Sequence, residues 1–214
     1  MAAPRLISRS EEIWVLEKPA GLAVHAAAGG HASDLLSWAR SELSAPPELA
    51  AVSRLDRETS GLVLCAVGDG RGLAGRWLAE GQVKKRYLAL VHGRTHRKGV
   101  IRRPLPDPRR RRPLEAVTRY RMLAWLGPLS YLEVRPETGR RHQIRRHLQG
   151  VGHPVVGDAR HGPRRPPRRV PGFPGRLWLH CHRLSLPDGR ELESPLPEDL
   201  RVHLELLSEL EGAI

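Results

Sequence analysis

Residues 53–61 (Ser-Arg-Leu-Asp-Arg-Glu-Thr-Ser-Gly) place one carboxylate between two arginines, directly before the apolar run 62–67. That run predicts a buried strand, and a residue at the end of such a strand is held rigidly enough for catalysis. Because Arg54 and Arg57 favour the ionised carboxylate, Asp56 can act as a nucleophile or a general base. The alternative is an Asp–Arg pair that only fixes the loop, and this segment by itself leaves both interpretations open.

A second segment, 138–148, is strongly basic and has the sequence Thr-Gly-Arg-Arg-His-Gln-Ile-Arg-Arg-His-Leu. It predicts a helix over 140–149 whose first backbone N–H groups are free to attract phosphate. At helical spacing Arg141 and Arg145 share one side, and apolar residues define another. Such a helix suits a cleft that holds RNA, and a solvated basic face is the alternative.

Histidines and cysteines do not form a metal-binding pattern. Three histidines within 142–153 are separated by five and six positions, rather than the four that place two ligands on one helical face. Near His180 and His182 no further cysteine or carboxylate pair completes a set of four ligands. Cys65 and Cys181 match neither a disulfide framework nor a zinc ribbon. We therefore expect no metal and two small buried side chains.

The composition predicts a folded protein with a polyanionic partner. The 214 residues include 36 Lys and Arg against 23 Asp and Glu, so the net charge is +13. Apolar residues make up 40%, which excludes wholesale disorder, and no stretch approaches the roughly 20 apolar residues of a membrane span. The N-terminus lacks the apolar run of a secretory signal. Although 32 of the basic residues are Arg, as a GC-rich genome can produce, the excess over acids favours nucleic acid.

Short elements must position these groups. Apolar runs and alternation predict strands over 13–17, 62–67, 87–92, 116–123, 130–135 and 177–186. Helical periodicity predicts helices over 35–43, 73–80, 140–149 and 198–211. Ser33 or Asp34 can cap the first helix. Two segments rich in Pro and Arg, 104–113 and 163–175, predict surface loops, either solvated or gripping phosphates.

Six short motifs occur in order along most of the chain. They lie at 18–25 (Lys-Pro-Ala-Gly-Leu-Ala-Val-His), 54–62, 85–93, 138–147, 152–158 and 179–184. Together they closely resemble the motifs of the RluA-type family of RNA pseudouridine synthases. One such motif can arise by chance, but six in the right order are specific. The resemblance therefore favours the catalytic interpretation of Asp56.

The resemblance implies an α+β pseudouridine synthase fold, with a mixed, mostly antiparallel bent sheet, flanking helices and a central basic cleft. It implies one catalytic domain over 1–214, without an N-terminal S4-type domain because the first motif already starts at Lys18. Asp56 would be the essential aspartate, which either attacks the sugar or base covalently or removes a sugar proton. Tyr87 would pack against the target base and assist proton transfer, and Arg145 would hold the Asp56 carboxylate.

The resemblance also implies substrate-binding roles. Ile144 would form an apolar wall beside the base. Arg54 would enter the RNA helix and stabilise the nucleotide that is flipped out, at a cost of a few kcal/mol. The remaining substrate-binding residues implied by the arginine motif are Arg140, His142 and Gln143.

No cofactor is implied, because the reaction cuts and re-forms one glycosidic bond. We expect a cytoplasmic monomer acting on tRNA or rRNA, and some residues after Arg145 resemble the TruC-type branch, which acts on tRNA. The family usually has His at the position of Ser53, which affects a local contact but not Asp56. The arginine-rich segments 109–112 and 164–169 are candidate RNA contacts.

Two other functions are compatible with parts of the sequence. A non-catalytic RNA-binding or RNA-folding protein on the same fold would carry the same basic charge, but it would have no chemical reason to keep Asp56, Tyr87 and Arg145. A nuclease or phosphoryl-transfer enzyme that used Asp56 and histidines would need a carboxylate cluster for metal ions, which the sequence lacks.

Overall fold

The computed structural model describes residues 2–25, 34–163 and 170–212. The chain divides into two compact units. Unit 1 comprises Met1–Lys84 and Cys181–Ser194, and unit 2 comprises Lys85–His180 and Pro195–Ile214. The single catalytic domain over 1–214 stays a prediction. The arginines at 164–169 lie outside the described residues.

The described residues contain ten strands and four helices. The strands are β1 (Arg5–Arg9), β2 (Ile13–Lys18), β3 (Ala50–Ala51), β4 (Ser60–Ala66), β5 (Lys84–His92), β6 (Lys98–Arg102), β7 (Val117–Leu126), β8 (Leu129–Pro136), β9 (Leu179–Ser185) and β10 (Glu191–Glu193). The helices are α1 (Leu35–Glu42), α2 (Gly70–Ala79), α3 (Gln143–Gly150) and α4 (Glu198–Leu210). Mostly antiparallel strands with four helices confirm the predicted α+β class. The bend of the sheet and the central basic cleft stay predictions.

Unit 1 is built around β4, whose seven residues are all buried. β2 pairs antiparallel with β4 on one side and with β1 on the other, and α1 packs into the same core around Trp14 and Leu16. Asp34 caps α1 as predicted, because its Oδ1 accepts the N–H groups of Leu36 and Ser37, both at 2.9 Å. Such a cap contributes about 1 kcal/mol.

Unit 2 contains an antiparallel ladder in the order β5-β8-β7-β6. Tyr87 and Tyr120 both pair with Val134 of β8, and directly paired residues point to the same face of a sheet. Thr118, two residues before Tyr120 on β7, belongs to that face as well. We call it the Tyr87 face. α3 packs on this face, because two of its side chains hydrogen-bond to Thr118.

Two features of the fold differ from the sequence-based expectation. α3 begins at Gln143, not at residue 140, because His142 adopts a left-handed conformation with φ of 51° and the helix cannot continue through it. Strands β1, β3, β6 and β10 were not predicted. β1 and β6 lie at edges and carry exposed charged residues that hide the alternation, and β3 and β10 have only two and three residues. No helix among the described residues is long and apolar enough to cross a membrane.

Candidate active site

The Asp56 loop, residues 53–59, lies in unit 1 between β3 and β4. Leu55 packs against the core of this unit, and the Thr59 N–H donates to the Asp56 carbonyl oxygen at 3.1 Å. Asp56 therefore lies between the packed Leu55 and the fully buried β4. Asp56 is half-buried, so it stands in a supported loop without being sealed from solvent.

Lys18 ties the Asp56 loop to the turn after β2. Its side chain is 0% exposed, and Nζ donates to the carbonyl oxygens of Pro19, Leu22 and Arg57 at 2.9, 2.8 and 3.1 Å. The Gly21 N–H donates to the Arg57 carbonyl, and Arg57 Nε donates to the Gly21 carbonyl, each at 2.8 Å. Because a buried ammonium must satisfy its donors within the protein, Lys18 fixes both segments at once.

Ser53 and Arg54 face in different directions. Ser53 is buried, and its Oγ accepts the Leu64 N–H at 3.0 Å. The hydroxyl thereby anchors the start of the Asp56 loop to β4, which accounts for a small residue at this position. Arg54 is exposed and forms no hydrogen bond or ion pair with the described residues. Its role toward RNA stays a prediction.

Gly61, at the start of β4, allows the backbone of β9 to pack unusually close to the backbone of β4. Its φ is +114°, and an added Cβ would lie 2.2 Å from the carbonyl oxygen of Cys181. Any side chain here would displace backbone, so glycine is required two residues after Thr59. Cys65 and Cys181 are both buried and not disulfide-bonded, as predicted, and burial raises the pKa of the Cys65 thiol to about 12.

Gln143 joins the start of α3 to β7 through its side-chain amide. Thr138 Oγ1 and the Arg140 N–H donate to Oε1 at 2.7 and 3.0 Å, and Nε2 donates to the Val117 carbonyl and to Thr118 Oγ1 at 2.9 and 3.0 Å. An amide side chain makes four hydrogen bonds when saturated. Gln143 is 4% exposed and makes all four inside unit 2, which argues against a direct contact with RNA.

His147 completes the same network, and its tautomer follows from its partners. Nε2 lies 2.9 Å from the Arg103 carbonyl, so it must carry the proton, and Nδ1 accepts from the Thr118 hydroxyl at 2.8 Å. Burial lowers the pKa of His147, the hydrogen bond to the Arg103 carbonyl partly opposes this, and the charges of Arg146 and Arg103 add to the lowering. The neutral ring therefore helps to hold α3 against β7.

Arg145 is buried and paired with Asp158. Nε donates to Oδ2 at 2.7 Å and Nη2 donates to Oδ1 at 2.8 Å, a bidentate geometry. Burial by itself would raise the pKa of Asp158, but the hydrogen bonds from Arg145 and from the backbone of His161 and Arg160 lower it. Helical spacing predicted that Arg145 shares an Arg-rich side of the helix with Arg141, for which a solvated face was the alternative. The Arg145 side chain is instead 3% exposed, because it neutralises this carboxylate.

The other predicted residues of the arginine motif precede Arg145 in the chain. Ile144 is 6% exposed. Arg140 lies before α3, where its Nε donates to the Glu115 carbonyl at 2.9 Å. Its N–H donates to Gln143 Oε1, so the predicted free amide at residue 140 is not present. His142 Nδ1 lies 2.9 Å from His161 Nε2, and burial lowers the pKa of His161. All five motif residues from 140 to 145 named above belong to unit 2.

The predicted site residues thus fall into two sets. Arg54 and Asp56 belong to unit 1, whereas Tyr87 and the arginine motif belong to unit 2. Within unit 2, Tyr87 is 7% exposed and lies on the face that carries α3. The pairing of Asp56 with Arg145 stays a prediction. Sequence reasoning assigned no role to Lys18 or Asp158, although both stand within motifs of the resemblance.

An arginine arm, residues 109–112, extends from a loop attached to α3. Leu105 and Leu114 close the base of the loop, since the N–H of each donates to the carbonyl of the other at 2.8 and 2.9 Å. Arg146 Nη1 donates to the Pro106 carbonyl at 3.1 Å, and all four arginines of the arm are exposed. Among the described residues, no group of three or more His, Cys, Asp or Glu side chains could hold a metal ion.

Solved structures of two human proteins share this fold. "Human RNA Pseudouridylate Synthase Domain Containing 4" aligns with a TM-score of 0.80 at 24% identity over 94% of this chain and 92% of that one. "Human RNA Pseudouridylate Synthase Domain Containing 1" aligns with a TM-score of 0.75 at 24% identity over 99% and 96%. The architecture is that of a pseudouridine synthase.

The family follows from the sequence comparisons. The family model described as RNA pseudouridylate synthase matches residues 12–150. An "Uncharacterized RNA pseudouridine synthase" of Chloroflexus aurantiacus is 39% identical over 90% of this chain, and "Ribosomal large subunit pseudouridine synthase D" of Nitrosomonas europaea is 33% identical over 96%. "tRNA pseudouridine synthase C" of Pectobacterium carotovorum is 31% identical over 85%. The chain belongs to the RNA pseudouridylate synthase family. It spans 66%, 66% and 54% of the lengths of these three relatives.

Proposed function

We propose that this protein isomerises specific uridines to pseudouridine in structured RNA. One observation carries the proposal: the motif aspartate, Asp56, stands in a loop fixed by the buried Lys18 and by the fully buried β4. A reacting carboxylate needs this combination of a rigid support and partial access. Membership of the RNA pseudouridylate synthase family supplies the reaction.

Each residue of the proposed site takes one role. Asp56 reacts with the target nucleotide, by covalent attack or by removal of a sugar proton. Tyr87 packs against the base and assists proton transfer, and Ile144 forms an apolar wall beside it. Arg145 holds the reacting carboxylate. Arg54, which is exposed, stabilises the RNA from which the nucleotide is flipped.

One expected RNA contact takes a different form. Gln143 makes four hydrogen bonds within the protein, so we propose that it holds α3 on β7 and does not itself contact RNA. His142 and Arg140 remain proposed substrate contacts, at the partly exposed turn before that helix. The arginine arm is a further candidate, because its loop is attached to α3 through Arg146 and its four charges can neutralise phosphates.

The RNA class is rRNA or tRNA. The names of two relatives refer to the ribosomal large subunit and to tRNA respectively, and both cover most of this chain. We propose that the protein acts as a monomer in the cytoplasm and without a cofactor. A non-catalytic RNA-binding protein on the same fold is the competing candidate, because the charge of +13 would serve it equally well.

Release of tritium from RNA labelled at uridine C5 tests the proposal, because forming pseudouridine frees the C5 hydrogen. Wild type, Asp56→Asn and the control Asp69→Asn are each given tRNA and rRNA transcripts in separate reactions. Asp69 is an exposed aspartate of the same unit that does not cap α2 through its side chain. We expect release by wild type and by the control, and none by Asp56→Asn, whose RNA affinity stays unchanged. Tight binding without release by wild type would favour the non-catalytic candidate.

A further inference from the structure

The Asp158 carboxylate is fixed by four donors. Beside the two donors of Arg145, its Oδ1 accepts the backbone N–H of Arg160 at 3.0 Å and that of His161 at 2.8 Å. The side chains of Asp158 and Arg145 are 0% and 3% exposed. Because this buried carboxylate is held by the backbone of its own turn, its position does not depend on Arg145. The position of the Arg145 guanidinium depends instead on the carboxylate.

Asp158 therefore determines how the guanidinium of Arg145 is presented. The edge formed by Nε and Nη2 faces Asp158. Because the five N–H donors of a guanidinium lie in one plane in a fixed fork, committing this edge fixes the direction of the Nη1 side. A lysine at position 145 could not be oriented in this way, since an ammonium is a point charge with rotatable donors.

Asp158 also compensates the positive charge of the buried Arg145. A buried arginine without a partner would carry a large desolvation cost, and this carboxylate offsets it at the shortest distance in the pair, 2.7 Å. The result is a donor with a fixed direction and a compensated charge. The turn that holds the carboxylate is itself attached to the start of α3, because His161 lies 2.9 Å from His142.

We propose that Asp158 is a positioning residue for the isomerisation, which fixes the Arg145 guanidinium for its role as the partner of the Asp56 carboxylate. This inference rests on the proposed function. It assigns Asp158 no contact with RNA and no part in proton transfer. Removing it should therefore reduce the rate of the chemical step and leave RNA affinity unchanged.

The test compares Asp158→Asn and Asp158→Glu with the control Asp188→Asn. Asp188 has the same local pattern in an exposed turn: its Oδ1 accepts the N–H of the residue two positions later, Arg190, and its Oδ2 accepts Nε and Nη2 of that arginine at 2.9 and 2.6 Å. Single-turnover tritium release at saturating RNA reports the chemical step, and filter binding reports affinity. Thermal melts establish that each variant is folded at the assay temperature.

We expect Asp158→Asn to lower the single-turnover rate about 100-fold or more, because misplacing a catalytic partner by about 1 Å has an effect of that size. Its RNA dissociation constant should stay within about threefold of wild type, the separation expected for a group that acts only on the reacting state. Asp158→Glu keeps the charge and should be about tenfold slower than wild type. The Asp188→Asn control should match wild type.

Three results would overturn the inference: an Asp158→Asn rate within about threefold of wild type, equal losses of rate and affinity, or a glutamate variant no faster than the asparagine variant. If Asp158→Asn does not fold, the glutamate variant decides, and a wild-type rate then refutes the inference. Failure of the proposed function has a different signature, because wild type itself would then release no tritium.

Discussion

Gln143→Leu is expected to destabilise unit 2 and to leave RNA binding unchanged. The leucine side chain has a similar volume and can fill the same space, but it makes none of the four hydrogen bonds of the amide. The substitution therefore separates two roles for one motif residue. A seat for α3 predicts a loss of stability, and a contact with RNA predicts a loss of affinity.

The expected size of the effect follows from the partners that the substitution leaves behind. A hydrogen bond contributes about 0.5–1.5 kcal/mol net, but three partners keep another bond. Thr138 Oγ1 still accepts the Val117 N–H, the Val117 carbonyl still accepts the Glu137 N–H, and the Thr118 hydroxyl still donates to His147. We expect a loss of about 2–3 kcal/mol in unfolding free energy. For a chain of this size that corresponds to roughly 4–12 °C in Tm.

The measurement is a thermal melt followed by circular dichroism, together with filter binding of RNA below both transitions. Gln149→Leu is the matched control, because it makes the same change at an exposed position of the same helix. Its Tm should shift by less than about 2 °C. If Gln143→Leu keeps the wild-type Tm but weakens RNA binding, the amide contacts RNA and the structural reasoning is wrong.

Three further predictions concern charge. Lys18→Met should lower the unfolding free energy by about 2–4 kcal/mol in urea titrations, because it removes the ammonium donor from three carbonyls, of which that of Arg57 keeps the Gly21 N–H, whereas the exposed Lys84→Met should have little effect. Burial lowers the pKa of His147 and of His203 from 6.5, so the unfolded chain binds protons first and Tm should fall as the pH drops below 6.5; a flat profile would contradict this. Replacing the arginines at 109–112 by glutamine should flatten the salt dependence of RNA binding, by up to about 0.9 per lost phosphate contact, and an unchanged slope would make the arm a solvated loop.

Elements that are buried on both faces were the easiest to predict. The apolar run at 62–67 predicted β4, and the structure places that strand over Ser60–Ala66 with every residue buried. The edge strand β6 carries Lys98 and Arg102 at its ends, which removes the alternation that identifies a strand. An edge position, with one partner strand and much solvent contact, is a tertiary property and leaves no local signal.

The start of α3 shows how a side chain overrides periodicity. Helical spacing extended the basic helix back to residue 140, and nothing in the composition marks His142 as left-handed. In the structure the Gln143 amide accepts the Arg140 N–H, a bond that holds the chain in a turn just before the helix. Because that amide also binds β7, the boundary depends on a contact between residues 25 or more positions apart.

Buried charges are the part of the site that composition hides most completely. In a chain with a net charge of +13, a charged residue predicts exposure, yet Lys18 and Arg145 are almost fully buried. Each is buried because a partner of fixed position satisfies it: three carbonyl oxygens for the lysine, and for the arginine a carboxylate held by its own turn. The same arrangement holds each charge in a fixed position and leaves few buried polar groups without a hydrogen bond. Residue type and spacing therefore locate the motifs in the sequence. Which charged side chain of a motif is held in one position depends on a partner that is itself fixed, as Asp158 is for Arg145.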